Sequence, residues 1–139
     1  MKIAILNDYL CRSLASADWS HIAKTCEITV FDRAIPAREA AATLKPFDII
    51  STLRERMPID RELLAQLPNL KMLAITGLYN RTLDVAAATG LVGAAALGGS
   101  WDMGVEAPVT GAGLDMKLKS ATNVEQWLFE FLNNRFDAP

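Results

Sequence analysis

The chain has little of the chemistry that builds metal and disulfide sites. It contains one histidine, His21, and two cysteines, Cys11 and Cys26, in 139 residues. No Cys-x-x-Cys or His-x-x-x-His spacing can be formed from them, so a structural zinc site has almost no ligands to draw on. The cysteines fall in different expected elements of a chain long enough to bury a core without a cross-link, which reads as free thiols in a reducing compartment. Charge of one sign is equally scarce: fourteen Lys plus Arg stand against sixteen Asp plus Glu. No block of like charge is longer than the Arg54-Glu55-Arg56 cluster, and the basic stripe that nucleic acid would require is missing. Long apolar runs are missing too. The most apolar stretch, Thr89 to Ser100, is glycine-rich and far short of the roughly 20 residues of a spanning helix. Ile3 to Leu6 is interrupted at once by Asn7 and Asp8, which leaves no export signal. The expectation is a single cytoplasmic domain with neither a membrane nor a nucleic-acid partner.

What is present is an alternation of short apolar runs with amphipathic ones, the pattern of strand-helix repeats around a parallel sheet. Lys2 to Asn7 reads as a buried central strand, Ser13 to Lys24 as a helix with Leu14, Trp19 and Ile22 on one face, and Glu27 to Phe31 as a second strand. Pro36 opens a helix through Leu44, Phe47 to Leu53 is a third strand, and Pro58 to Leu67 a third helix. Leu70 to Thr76 is a fourth strand, and a short helix runs from about Thr82 to Ala88. With right-handed crossovers, the result is an α/β fold with an open parallel sheet of flavodoxin-like order. Beyond Gly90, six of the eight glycines crowd between Leu91 and Gly113; this stretch reads as a weak fifth strand near Leu91-Val92 followed by an irregular connection. Thr122-Asn-Val-Glu125 has capping-box spacing, and Val124, Trp127, Leu128, Phe131 and Leu132 then recur at helical intervals. The expected organisation is a domain core over 1–90, a glycine-rich connection over 91–119, and a C-terminal helix over 120–135 packed back on the same domain.

In such a sheet, ligands bind beyond the carboxyl ends of the strands. Four segments qualify: Asn7-Asp8-Tyr9, Asp32-Arg33, Leu53 to Arg56, and Thr76 to Asn80. A phosphoryl-accepting receiver is excluded, because Leu53-Arg54 stands where the acceptor Asp should follow the third strand. A flavin site is disfavoured because Asp8-Tyr9-Leu10-Cys11 supplies no glycine-rich phosphate loop. Arg54 and Arg56, beside the backbone amides that Gly77 leaves open to close approach, form a carboxylate-binding arrangement. On spacing alone, a solvated turn in which Arg54, Glu55 and Arg56 pair among themselves is an equal alternative. Trp19, Trp127, Phe129 and Phe131 read as packing residues, and His21 as a surface residue.

Met1 to Tyr9, Ala17-Asp-Trp-Ser20, Ile28-Thr-Val-Phe31, Pro46-Phe-Asp-Ile49, Leu53-Arg-Glu-Arg-Met-Pro58, Leu67-Pro-Asn-Leu-Lys71 and Ile75 to Ala88 together resemble one known domain. It is the N-terminal substrate-binding domain of the NAD-dependent D-isomer-specific 2-hydroxyacid dehydrogenases, in the branch similar to phosphoglycerate dehydrogenase. In that family the nucleotide-binding domain is inserted into the substrate domain, and the chain returns at the end as a helix. Val109 to Met116 is similar to a glycine-rich segment late in the nucleotide domain, and Ala121 to Leu132 resembles the returning helix. The resemblance therefore implies a truncated form, with both ends of a dehydrogenase and little of the nucleotide domain between them.

The family's complete Gly-x-Gly-x-x-Gly turn and its catalytic Arg, Glu and His find no counterparts here. The resemblance accordingly implies no catalytic, cofactor-binding or metal residues, no cofactor held by this chain alone although the family uses NAD, and no turnover in isolation. It assigns substrate contacts to Arg54, Glu55, Thr76, Gly77, Leu78 and Asn80, which would take the carboxylate of a small 2-hydroxy or 2-oxo acid. Tyr79 replaces the second glycine common after Gly77. The alternative is a non-catalytic interaction module derived from the same family, in which the apolar 91–113 stretch mediates self-association; a homo-oligomer is expected on either reading. A flavodoxin-like domain with an unrelated ligand is the third possibility.

Overall fold

The computed structural model describes residues 1–52, 55–76, 80–91, 94–99 and 109–110. Four consecutive apolar residues, Ile3-Ala-Ile-Leu6, suit a strand covered on both faces. They form the interior of β1 (Lys2–Leu6), and all four are buried. β2 (Glu27–Val30) and β3 (Ile49–Thr52) pair on either side of it, and β4 (Met72–Thr76), β5 (Ala94–Gly99) and β6 (Val109–Thr110) continue outward from β3. The order is β2-β1-β3-β4-β5-β6. The first five strands are parallel and β6 runs antiparallel to β5. The parallel part has the flavodoxin-like order that the alternation of runs predicts.

Side chains alternate across the sheet. Ala4, Leu6, Ile50, Leu73 and Ile75 gather on one face with Ala40 and Leu44 of α1 (Ala37–Leu44), Leu63 and Leu64 of α2 (Arg61–Ala65), and Ala87 and Ala88 of α3 (Val85–Leu91). Ile3, Ile5, Ile49 and Met72 lie outside that cluster and are fully buried. The chain steps one way from β1 to β2 and the other way through β3, β4 and β5, so right-handed crossovers send the 7–26 connection to the opposite face from the three helices. Trp19 and Ile22 are its buried anchors. At about 1.5–3 kcal/mol for each fully buried Leu or Ile, the strands and helices of this core dominate the stability of the fold.

Two expectations need correction. Ser13 to Lys24 is not a helix; it is a run of turns ending in a single 3-10 turn, Ile22–Lys24. The cause is competition from side chains for the backbone groups a helix would use. The Asp8 carboxylate accepts from the Ser13 amide at 2.9 Å and the Ser13 hydroxyl at 2.5 Å. The Ser16 hydroxyl donates to the Arg12 carbonyl at 2.7 Å, Trp19 Nε1 donates to the Ser13 carbonyl at 3.0 Å, and Asp18 accepts from the Ser20 amide at 2.9 Å. The fifth strand is also displaced: Leu91 ends α3, and β5 begins at Ala94. Three consecutive alanines with glycines behind them carry little strand propensity, but pairing with the buried β4 overrides it. The 111–139 stretch, including the expected 120–135 helix, lies outside the described residues.

Candidate functional site

The carboxyl ends of β1, β3 and β4 converge on one rim of the sheet. Beyond β1, Asn7 is buried and takes a left-handed φ of 65°, and exposed Cys11 takes 50°. Asn tolerates this region better than most residues because its side chain can bond locally, yet Asn7 Nδ2 is buried with no hydrogen-bond partner. Between these two turns, Asp8 is 3% exposed. Its carboxylate gathers the Arg12 amide at 3.0 Å together with the Ser13 amide and hydroxyl. Burial alone would push the Asp8 carboxyl up, but the Ser13 hydroxyl and the two amides outweigh it and hold it below the usual carboxylate range.

The segments beyond β3 and β4 form one unit. The Glu55 carboxylate accepts from the Arg81 amide at 2.5 Å. The Ile59 amide donates to the Thr82 carbonyl at 2.7 Å, and the Asp84 amide donates to the Ile59 carbonyl at 3.0 Å, so Ile59 and Leu83 make a parallel bridge. Asn80 Oδ1 accepts from the Thr82 amide at 2.8 Å and from its hydroxyl at 2.7 Å, closing an Asx turn. The Thr82 hydroxyl also lies 3.1 Å from the Met57 carbonyl. Asp60 caps α2 by accepting from the Leu63 amide at 2.9 Å, and Asp84 accepts from the Ala87 amide of α3 at 2.8 Å.

A third link joins this unit to β1. Arg56 Nη1 donates to the Asn7 carbonyl at 2.9 Å, and its guanidinium carbon sits 4.4 Å from the centroid of the Tyr9 ring. The solvated-turn alternative for the charge cluster therefore fails for Arg56, which turns to β1, while Glu55 takes the Arg81 amide.

Of the site residues expected from the sequence, Glu55 and Asn80 stand together in this unit, and Thr76 is the last residue of β4. Arg54, Gly77 and Leu78 lie outside the described residues. Asp32-Arg33, the fourth strand-end candidate, is a solvent ion pair at 3.9 Å, with Arg33 90% exposed. His21 is exposed on the 7–26 connection. The sequence reading missed Arg81, Thr82 and Asp84 as partners that lock the rim. Their signal was the Asn-x-Thr spacing of a local turn.

No strand-end turn among the described residues fits a dinucleotide. A pyrophosphate needs free amides in a glycine-lined turn. Beyond β1 the turn is Asn7 to Cys11, and the Arg12 and Ser13 amides are already taken by Asp8. Among the described residues, no three His, Cys, Asp or Glu side chains cluster to hold a metal ion, and no helix is long and apolar enough to cross a membrane.

The model of the D-isomer specific 2-hydroxyacid dehydrogenase catalytic domain matches residues 4–92. The phosphoglycerate oxidoreductase of Vibrio cholerae O395 is 33% identical, with a TM-score of 0.63 over 72% of this chain and 32% of its own. The D-3-phosphoglycerate dehydrogenase oxidoreductase of Ralstonia solanacearum is 30% identical, with a TM-score of 0.61 over 72% of this chain and 30% of its own. An NAD-dependent formate dehydrogenase of Staphylococcus aureus, solved in complex with NAD, shares the fold at 22% identity and a TM-score of 0.54, over 70% of this chain and 32% of its own. The chain thus spans about a third of the length of these relatives. No curated protein sequence matches it. With the family model covering β1 through α3, the chain belongs to the D-isomer specific 2-hydroxyacid dehydrogenases.

Proposed function

We propose that this chain contributes the substrate side of an NAD-dependent D-2-hydroxyacid dehydrogenase: it binds the carboxylate of a small 2-hydroxy or 2-oxo acid at the β3 and β4 rim and does not transfer hydride alone. The observation that carries this reading is the tie between the two strand-end segments by Glu55, Thr82 and the Ile59 bridge, which holds Asn80 to Asp84 against the 55–59 segment. A preorganised rim spends less of its binding energy on ordering. Arg54 and the amides around Gly77 would grip the carboxylate, with Leu78 beside it and Glu55 and Asn80 fixing the segments that present them.

Hydride transfer also needs a held nicotinamide and a proton donor tuned near neutrality. The one histidine, His21, is on the 7–26 connection and not at the β3 and β4 rim, and the Arg12 and Ser13 amides that follow the turn beyond β1 are taken by Asp8. The chemistry would then depend on a nucleotide-binding partner domain.

Thermal unfolding of the 139-residue chain with tens of millimolar 2-oxo acids, and separately with NADH, tests the proposal. A ligand at a hundred times its Kd adds about 2.7 kcal/mol, so stabilisation by oxo acids and none by NADH is expected. Stabilisation by NADH would overturn it.

One observation favours the second reading, an interaction module assembling as a homo-oligomer. Leu10 is 79% exposed and Leu14 49%, both on the 7–26 connection. Sedimentation of Leu10→Glu against the unchanged chain decides it: dissociation to monomer is the outcome expected of such a module.

A further inference from the structure

The guanidinium of Arg56 makes two contacts of different kinds at once. Its edge donates to the carbonyl of Asn7 at 2.9 Å, across 49 residues of sequence, and its face lies 4.4 Å from the Tyr9 centroid. Only a planar cation can stack through its face and donate in its plane; an ammonium supplies the charge without that geometry. Both partners sit on a turn of the rim whose backbone is strained: Asn7 is left-handed and buried, and the Asp8 carboxylate locks the residues after Tyr9. Beyond Arg56 the chain enters the segment sewn to the β4 side through Met57, Ile59 and Thr82. Before it stands Glu55, holding the Arg81 amide. Arg56 thus ties the joined β3 and β4 segments to β1.

We propose that Arg56 is a positioning residue: clamped between the Asn7 carbonyl and the Tyr9 ring, it sets the 55–59 segment in the register at which the rim receives its carboxylate ligand, without touching that ligand. The assignment rests on the carboxylate-binding reading for its ligand, though not for its geometry. Planarity predicts that charge alone does not suffice. The Tyr9 contact predicts that an aromatic ring is needed at that place and its hydroxyl is not.

Four variants of the full chain test this, with three measurements on each: amide hydrogen exchange at Ile59, Arg81 and Asp84, the Kd for pyruvate, and the Tm. Arg56→Lys and Arg56→Met are both expected to speed exchange at these amides and to weaken pyruvate binding about five- to tenfold, the size of one lost hydrogen bond. Tyr9→Leu is expected to do so about two- to fivefold, the size of an exposed cation–π contact. Tyr9→Phe should match the unchanged chain in both. Arg56 and Tyr9 are on the exposed side of the rim, so the Tm should move little in all four.

Unaltered exchange in Arg56→Met, or an Arg56→Lys chain indistinguishable from the original, would overturn the clamp. Faster exchange with unchanged pyruvate affinity would overturn the positioning role and leave the carboxylate reading standing. An original chain that binds no pyruvate while the exchange pattern holds would sink the carboxylate reading and leave Arg56 as the residue that sets the rim.

Discussion

At the amino ends of the strands, charged side chains meet one another across solvent: Lys2 pairs with Glu27 at 3.6 Å and Lys71 with Asp48 at 2.8 Å. At the carboxyl ends of β1, β3 and β4, polar side chains turn to the backbone instead. Asp8 takes the Arg12 and Ser13 amides, Glu55 the Arg81 amide, Asn80 the Thr82 amide, and Arg56 the Asn7 carbonyl. One end is held by ion pairs that salt can screen, with Asp48 also accepting from the Lys2 amide at 2.9 Å. The other is held by directed bonds that fix loop shape, and it carries the strained φ at Asn7 together with the unpartnered Asn7 Nδ2. Strain and unmet polar groups persist where the surrounding structure over-determines them, and such places cluster at ligand sites. The contrast therefore points to the carboxyl rim on physical grounds independent of family.

The largest effect that would break this contrast is Asp8→Ala. It leaves the Arg12 and Ser13 amides without their acceptor and should cost about 3 kcal/mol in urea unfolding; a loss as small as that of an exposed pair would remove the distinction between the ends. The acid limb of stability comes next. Burial pushes both Asp8 and Asp48 up, but hydrogen bonds at Asp8, and Lys71, the Lys2 amide and the chain terminus at Asp48, outweigh it, so both carboxyls lie below their ordinary 3.8. The unfolded chain then binds more protons just below that value. Stability is fully present above pH 4 and falls as pH drops through the folded-state values. Asp8→Asn should flatten this limb, and salt near 0.5 M should weaken the Asp48 share more than the Asp8 share, since Asp48 alone faces charged partners, Lys71 and the chain terminus.

Backbone strain sharpens the comparison at about 1 kcal/mol. Asn7→Gly should be more stable than Asn7→Ala by that amount, because alanine cannot enter the left-handed region without steric cost. The smallest effect belongs to the amino end. Lys71→Met should cost less than about 1 kcal/mol and lose that difference in high salt.

The order of the sheet was legible because each buried strand is a short apolar run bounded by breakers: Ile3 to Leu6 stopped by Asn7, Ile49 and Ile50 preceded by Pro46, Met72 to Ile75 followed by Gly77. The 13–24 segment was misread because periodicity in Leu14, Trp19 and Ile22 says nothing of Asp8 reaching forward to Ser13. Leu14 in fact points to solvent at 49% exposure. At the rim, residue types were readable but not their partners. Glu55 and Arg56 look the same in the sequence whether they pair with each other or are drawn apart to Arg81 and Asn7, and only the parallel packing of β1, β3 and β4 decides which. The start of β5 escaped because alanines and glycines carry no period, so pairing with β4 alone places it.

The central position of β1 also has a consequence for how the chain reaches this state. β1 ends at Leu6 but pairs on one edge with β2 and on the other with β3, which ends at Thr52. At the roughly 5–20 residues per second of ribosomal synthesis, the stickiest strand waits for seconds with both edges bare. Lys2 and the Asn7-Asp8 pair, flanking Ile3 to Leu6, are the gatekeepers that keep it from pairing with another nascent chain in that interval.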